Sequence, residues 1–236
     1  MKRSENGYLS TVRTVLILLN YFVGYYWAYP YLVSWLIKDR QVSEHSLVIY
    51  MLVIYGWVFV TTVLLAYPAI EYGFKNLFKH LGQQLKLILL SAAGMIVVNV
   101  GISLLLNAIT GQENSANEQN IRQMYDIMPQ LVVALSCIFA PVVEEIVFRL
   151  CIMGPLRRKG KVIWGIVVSS FFFGLAHVSE SITAGNYADL IYIFVYSGIG
   201  VVLAIAYHKG DSIITSMLVH AINNSLGMLA LGALLA

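Results

Sequence analysis

Two carboxylates, one guanidinium, two imidazoles and two amides fall deep inside apolar stretches of this chain: Glu144, Glu145, Arg149, His177, His220, Asn223 and Asn224. A charge at the centre of a bilayer costs about 2.5–3.5 kcal/mol even on the mildest scale, so such groups stand where something compensates or uses them. Glu145 and Arg149 are four residues apart, which puts them on one helical face and lets them pair. Glu144 points about 100° away from Glu145 around the axis and has no cation of its own. A carboxylate left unpaired in an apolar bundle is suited to take a proton from water. His177 and His220 lie on other stretches and can converge on it. Counted at helical rise from the basic ends of their stretches, all three lie about 13–24 Å deep. Asn224 sits one turn beyond His220 on the same face. The chemistry these types can do together is acyl transfer. Glu144 and His177 would hold and deprotonate a water, while His220 and Asn224 would donate to the oxyanion formed on a carbonyl.

Each group also has a plain structural use. Glu145 with Arg149 reads best as a supporting ion pair, a histidine within a span often serves a hydrogen bond in the core, and Asn223 and Asn224 can bridge helices. Pro141, one turn before Glu144, frees a backbone carbonyl near Cys137 and bends the helix, with room for water beside Glu144. Cys137 and Cys151 are fourteen residues apart on one helix, about 21 Å at helical rise, too far to bond to each other. Small apolar packing is the expected use of both.

The elements that must position these residues are membrane helices. The chain has 236 residues, 59% hydrophobic and 11% charged, where a soluble domain carries about 25% charged residues. Crossing a bilayer takes about 20 apolar residues in a helix. Seven spans can be drawn: Thr14 to Leu36 with a kink at Pro30, Ser46 to Ile70, Leu87 to Ile109, Pro129 to Gly154, Val162 to Val178, Leu190 to Tyr207, and Ser212 to the C-terminus. The fold class is therefore all-α, a polytopic transmembrane bundle of seven or eight spans. The first apolar run is long for a signal-peptide core and no small-residue cleavage site follows it, so it reads as a retained anchor. Between the second and third spans, Phe74, Leu77, Phe78, Leu81 and Leu85 keep helical spacing while Lys75, Lys79 and His80 take other positions. That pattern predicts an interfacial helix over Glu71 to Lys86. Gly111 to Asp126 is a polar loop with room for a short surface helix.

Basic residues set the orientation. Lys2, Arg3 and Arg13 precede the first span, Lys75, Lys79 and Lys86 follow the second, Arg157, Arg158, Lys159 and Lys161 follow the fourth, and Lys209 follows the sixth. The other side has only Lys38, Arg40 and Arg122. The bias places the N-terminus in the cytoplasm and, with seven spans, the C-terminus outside. A net charge of +3 gives no sign of a nucleic-acid partner.

Glu144-Glu145-Ile-Val-Phe-Arg149 fits EExxxR, Phe173-Gly-Leu-Ala-His177 fits FxxxH, and His220-Ala-Ile-Asn-Asn224 fits HxxxN. Any one of these is weak, but the ordered set over Pro129 to Ala230 resembles the CPBP family of intramembrane proteases. That family includes the eukaryotic Ras-converting CAAX endopeptidase and many bacterial relatives. The resemblance implies a glutamate-dependent intramembrane endopeptidase acting on a membrane-associated or lipidated peptide. By resemblance Glu144 is the general base, His177 shares the water, and His220 with Asn224 forms the oxyanion pair. Glu145, Arg149 and Phe173 match its supporting positions. No cofactor is required on this reading. Zinc is the open alternative, with Glu144, His177 and His220 as its three ligands. The short chain is closer to the bacterial branch, which implies a bacterial plasma membrane, the lipid bilayer as surroundings, and a peptide or a membrane sensor protein as partner. Residues 1–128 would then hold the N-terminal helices, interfacial helix and polar loop, and residues 129–236 the catalytic core, in one membrane domain. Two other readings stand beside this one. The first is a non-catalytic regulator or immunity protein of the same fold. The second is a small ion-coupled carrier, for which the inverted repeats expected of many carriers are not seen.

Overall fold

The computed structural model describes residues 7–38, 40–112 and 114–235. Lys2 and Arg3, counted among the basic flanks, lie outside the described residues. Among those described, every regular element is helical. In chain order these are α1 over residues 11–37, α2 Glu44–Lys79, α3 Leu81–Thr110, α4 Ala116–Ile127, α5 Pro129–Arg158, α6 Val162–Thr183, α7 Ile193–Gly210 and α8 Ile213–Leu235. A 3-10 turn, Tyr187–Tyr192, leads into α7. Ser10, Ser43 and Ser115 start α1, α2 and α4 by accepting from a backbone N–H three residues on. This satisfies one of the donors that a helix start leaves open.

Six of these helices, α2, α3, α5, α6, α7 with its leading turn, and α8, are long and apolar enough to cross a membrane. The first expected span, α1, is not among them. It exceeds the roughly 20 residues a crossing needs, but Asn20 and the run Tyr25, Tyr26, Trp27, Tyr29 and Tyr31 dilute its apolar character. The interfacial helix expected over Glu71 to Lys86 is not a separate element. Residues 71–79 continue α2, the chain breaks at His80 (φ −124°, ψ 35°), and residues 81–86 open α3. An amphipathic stretch serves equally as the end of a long helix, so its periodicity alone could not mark a boundary. The polar stretch after Gly111 does contain a surface helix, α4.

The outside of the bundle is apolar, with Trp27, Val97, Ile163 and Leu229 among the exposed side chains, as lipid requires. The inside is built on α5, whose Val143, Ile146, Val147 and Phe148 are fully buried, and which packs against α1, α2, α6 and α8.

Two sets of contacts define the ends of the bundle. At one end the α7–α8 turn is gripped by other helices. Asp211, in the left-handed region at φ 46°, pairs with buried Arg157 of α5 and accepts from Tyr72 Oη at 2.8 Å. Asn76 and Gln84 donate to the Gly210 carbonyl at 2.8 and 2.7 Å. At the other end α4 is strapped down. Its first backbone N–H, on Ala116, donates to Asp189 at 2.9 Å. Ser115 Oγ and Tyr196 Oη lie 2.6 Å apart. Tyr192 Oη donates to the Gln112 carbonyl at 3.1 Å.

The α6–α7 contact depends on small residues. A Cβ built on Gly174 would clash with Ser197 Oγ and lie 2.8 Å from the Ile193 carbonyl, and one on Gly200 would lie 3.0 Å from Ser170 Cα. Gly174→Val should therefore force the two helices apart and destabilise the protein by about 1–3 kcal/mol, the usual cost of overpacking. A lowered thermal midpoint in detergent would show it. Gly94→Ala, where an added Cβ meets nothing within 4 Å, should leave the midpoint unchanged or slightly raised.

Candidate active site

The middle of α5 is irregular. Wide, π-type turns at Leu135–Phe139 and Ile146–Met153 flank a regular segment, Ala140–Glu145, which carries both carboxylates. Such turns recur at functional sites because they re-aim side chains. In the first, the Ala140 N–H reaches back five residues to the Leu135 carbonyl. The next residue, Pro141, has no N–H to donate in that register, which leaves the Ser136 carbonyl open. Asn224 Nδ2 of α8 donates to it at 2.8 Å. Ordinary four-residue helical bonding would free the carbonyl of Cys137 instead, as the sequence predicts. The wide turn shifts it to Ser136.

Glu145 and Arg149 form the expected pair. Both side chains are fully buried, with Arg149 Nε 3.0 Å from Glu145 Oε2. Arg149 Nη1 also reaches Ser169 Oγ at 3.4 Å, and its guanidinium lies 5.2 Å from the centre of the Phe173 ring. Glu145 has a second partner that spacing did not suggest: His220 Nδ1 donates to its Oε1 at 3.2 Å. That bond holds His220 with Nε2 turned towards Glu144.

His177 is held the same way by a different partner. Its Nδ1 donates to the Phe173 carbonyl one turn earlier at 2.8 Å. The imidazole lies between two rings, Phe173 at 4.4 Å and Tyr196 at 4.5 Å between centres. Its Nε2 then points at Glu144. Glu144 Oε2 lies 3.9 Å from His177 Nε2 and 4.0 Å from His220 Nε2. This oxygen is buried and has no hydrogen-bond partner among the described residues. An unpartnered buried carboxylate oxygen is unusual and needs an explanation. A water bonded to Glu144 and His177 at about 2.8 Å fits a gap of this width with an angle near 90° at its oxygen.

The three donor atoms suit zinc less well as they stand. Ligands at about 2.0–2.1 Å on a tetrahedral ion lie about 3.3 Å apart, closer than either gap to Glu144 Oε2. No group of three His, Cys, Asp or Glu side chains placed to hold a metal ion occurs among the described residues.

The structure thus brings together Glu144, His177, His220, Asn224, Glu145, Arg149 and Phe173, from α5, α6 and α8. Glu144, His177, His220 and Asn224 line a cavity of about 700 Å³. Asn223 also lines it, and its Nδ2 donates to Asn224 Oδ1 at 3.2 Å, fixing that amide's orientation. Cys137 is half-buried and Cys151 buried, and neither lines the cavity. Tyr196, whose ring stacks on His177, is not predicted by any spacing in the sequence. One tyrosine among 15 in the chain, in no motif, carries no signal of that contact. Pro141 is the one sign in the sequence of the open Ser136 carbonyl.

Residues 127–226, which hold all three motifs, match the family model for Rce1-like, Type II CAAX prenyl endopeptidase. The resemblance read from the motifs therefore holds for this part of the chain. The chain is similar to two curated bacterial proteins. It is 30% identical over 111 residues to the putative membrane peptidase YdiL of Bacillus subtilis (strain 168), covering 47% of this chain and 41% of that protein. It is 30% identical over 143 residues to the membrane-embedded CAAX protease MroQ of Staphylococcus aureus (strain USA300), covering 58% of this chain and 53% of that one. The matches thus span about half the length of these relatives or less. No solved structure gives a significant match.

Arg149→Ala would leave Glu145 buried without its cation. The expected cost is about 3–5 kcal/mol, the usual result of removing one member of a buried pair, seen as loss of folded protein in detergent. Replacing both partners, as Glu145→Gln with Arg149→Met, should recover a substantial part of that stability.

Proposed function

We propose that the protein is an intramembrane endopeptidase of the CAAX type, hydrolysing a peptide bond in a membrane-associated or lipidated peptide. The observation that carries this reading is the unpartnered Glu144 Oε2, set between the free nitrogens of His177 and His220 on the wall of a 700 Å³ cavity. The match to an endopeptidase family over the same residues supports it. The related bacterial proteins support a bacterial plasma membrane as its setting.

In this reading a water sits between Glu144 Oε2 and His177 Nε2. With Nδ1–H committed to the Phe173 carbonyl, neutral His177 offers a lone pair at Nε2. Glu144 takes a proton as the water oxygen adds to the scissile carbonyl. The carbonyl oxygen becomes an oxyanion, stabilised by His220 Nε2–H and Asn224 Nδ2–H. Glu144 then passes its proton to the leaving nitrogen, the C–N bond breaks, and a carboxylic acid and an amine result, the acid's proton finally passing to the amine. His220 already donates Nδ1–H to Glu145, so donation from Nε2 requires the imidazolium form. Asn224 spends one amide hydrogen on Ser136 and keeps the other for the oxyanion. No metal enters this sequence.

Glu144→Gln and His177→Ala should each abolish cleavage of a fluorogenic apolar peptide by purified protein in nanodiscs, with the thermal midpoint retained. Asn224→Ala should lower the rate by about 10²–10³, as for other oxyanion donors. Unchanged cleavage by Glu144→Gln would overturn the mechanism. Dialysis against a chelator should leave activity intact, with metal analysis of the same sample as its check. Loss of activity that zinc restores would instead make Glu144, His177 and His220 a metal site.

A further inference from the structure

The cavity has a direction. Its walls run from Glu144, His177 and His220 towards the end strapped by α4, where Ser115, Asn117, Glu118 and Arg122 line it. On α8 the lining continues from His220 to Leu231, away from the Asp211 turn. None of the residues gripping that turn, Tyr72, Asn76, Gln84, Arg157 or Asp211, lines it. Those contacts also show that the turns at His80, Lys159 and Asp211 gather at one end of the bundle.

The two ends differ in charge. The gripped end has Lys75, Lys79, Lys86, Arg157, Arg158, Lys159, Lys161 and Lys209 beside its turns, whereas the strapped end has Arg122, with Lys38 and Arg40 after α1. Lys and Arg in short loops stay on the cytoplasmic side.

We infer that the cavity opens on the extracytoplasmic side, so that the site takes an apolar polypeptide segment presented from the outer face of the membrane. The chemistry of the walls agrees with such a segment. Between Glu144 and the strapped end they are largely apolar or amide, with Leu226, Met228, Asn99 and Asn223, and the charged pair Glu118–Arg122 lies at the strapped end itself. Uncharged side chains would enter deepest, with backbone polar groups met by the amides, and polar residues would remain near α4. The term substrate rests on the endopeptidase reading; the direction of the opening does not.

The test reads direction and activity separately. In a Cys137→Ser, Cys151→Ala background, Gln119→Cys and Ala184→Cys mark the strapped end and Gln83→Cys the gripped end. All three positions are exposed, and none changes the charge. A charged, membrane-impermeant maleimide added to intact bacterial cells, or to spheroplasts where an outer membrane intervenes, should label Gln119→Cys and Ala184→Cys at least about tenfold faster than Gln83→Cys. Gln83→Cys should react fully only after lysis. Labelling of Gln83→Cys in intact cells, with the other two protected, would overturn the inference. Sealed vesicles sorted by this labelling are then given the fluorogenic peptide outside. Cleavage should follow vesicles that expose Gln119→Cys and vanish with Glu144→Gln. Cleavage by those exposing Gln83→Cys would overturn the inference while keeping the protease. Absence of cleavage from both populations, with labelling as expected, would remove the protease and leave the outward opening standing.

Discussion

Arg149 and Glu145 form an ion pair with no exposed surface at the centre of an apolar bundle. Burying either charge alone would cost several kcal/mol, so each exists there only because of the other. The pair also uses its remaining capacity. Arg149 reaches Ser169 and lies against Phe173, and Glu145 accepts from His220. One electrostatic necessity therefore ties α5 to α6 and α8. It also leaves Glu144, the neighbouring carboxylate, facing the cavity with an oxygen that nothing in the described protein satisfies.

The two histidines illustrate how one requirement is met by different means. Each presents Nε2 to the same carboxylate, and each has Nδ1 committed elsewhere. His177 uses a backbone carbonyl on its own helix, Phe173, and His220 uses the buried carboxylate of another. A hydrogen bond to one ring nitrogen sets the role of the other. The Phe173 position is thus occupied twice over. Its carbonyl orients His177, and its ring packs against Arg149, His177, His220 and Phe148.

Asn224 connects the site to a defect in the backbone. A proline in a wide turn leaves the Ser136 carbonyl open, and the amide from α8 closes it. Inside a membrane an unsatisfied carbonyl is costly, so this bond holds α8 to α5 one turn from His220. The grip on the α7–α8 turn by Arg157, Asn76 and Gln84 secures the other end of α8. Two fixed points on one helix set the depth of His220.

Composition and spacing by themselves determined that this is a helical membrane protein, that Glu145 pairs with Arg149, and that Glu144, His177, His220 and Asn224 are the groups to watch. These were legible because ionisable residues are rare in apolar spans and a four-residue spacing has one meaning on a helix. Tertiary structure decided the rest. The amphipathic run after Glu71 is the end of one helix and the start of the next, since periodicity records a face and not a boundary. The open carbonyl belongs to Ser136, because the register of the wide turn is set by packing around α5. Tyr196 stacks on His177, and His220 reaches Glu145, through contacts between helices far apart in sequence. Convergence of that kind depends on how helices cross, and no local spacing encodes it.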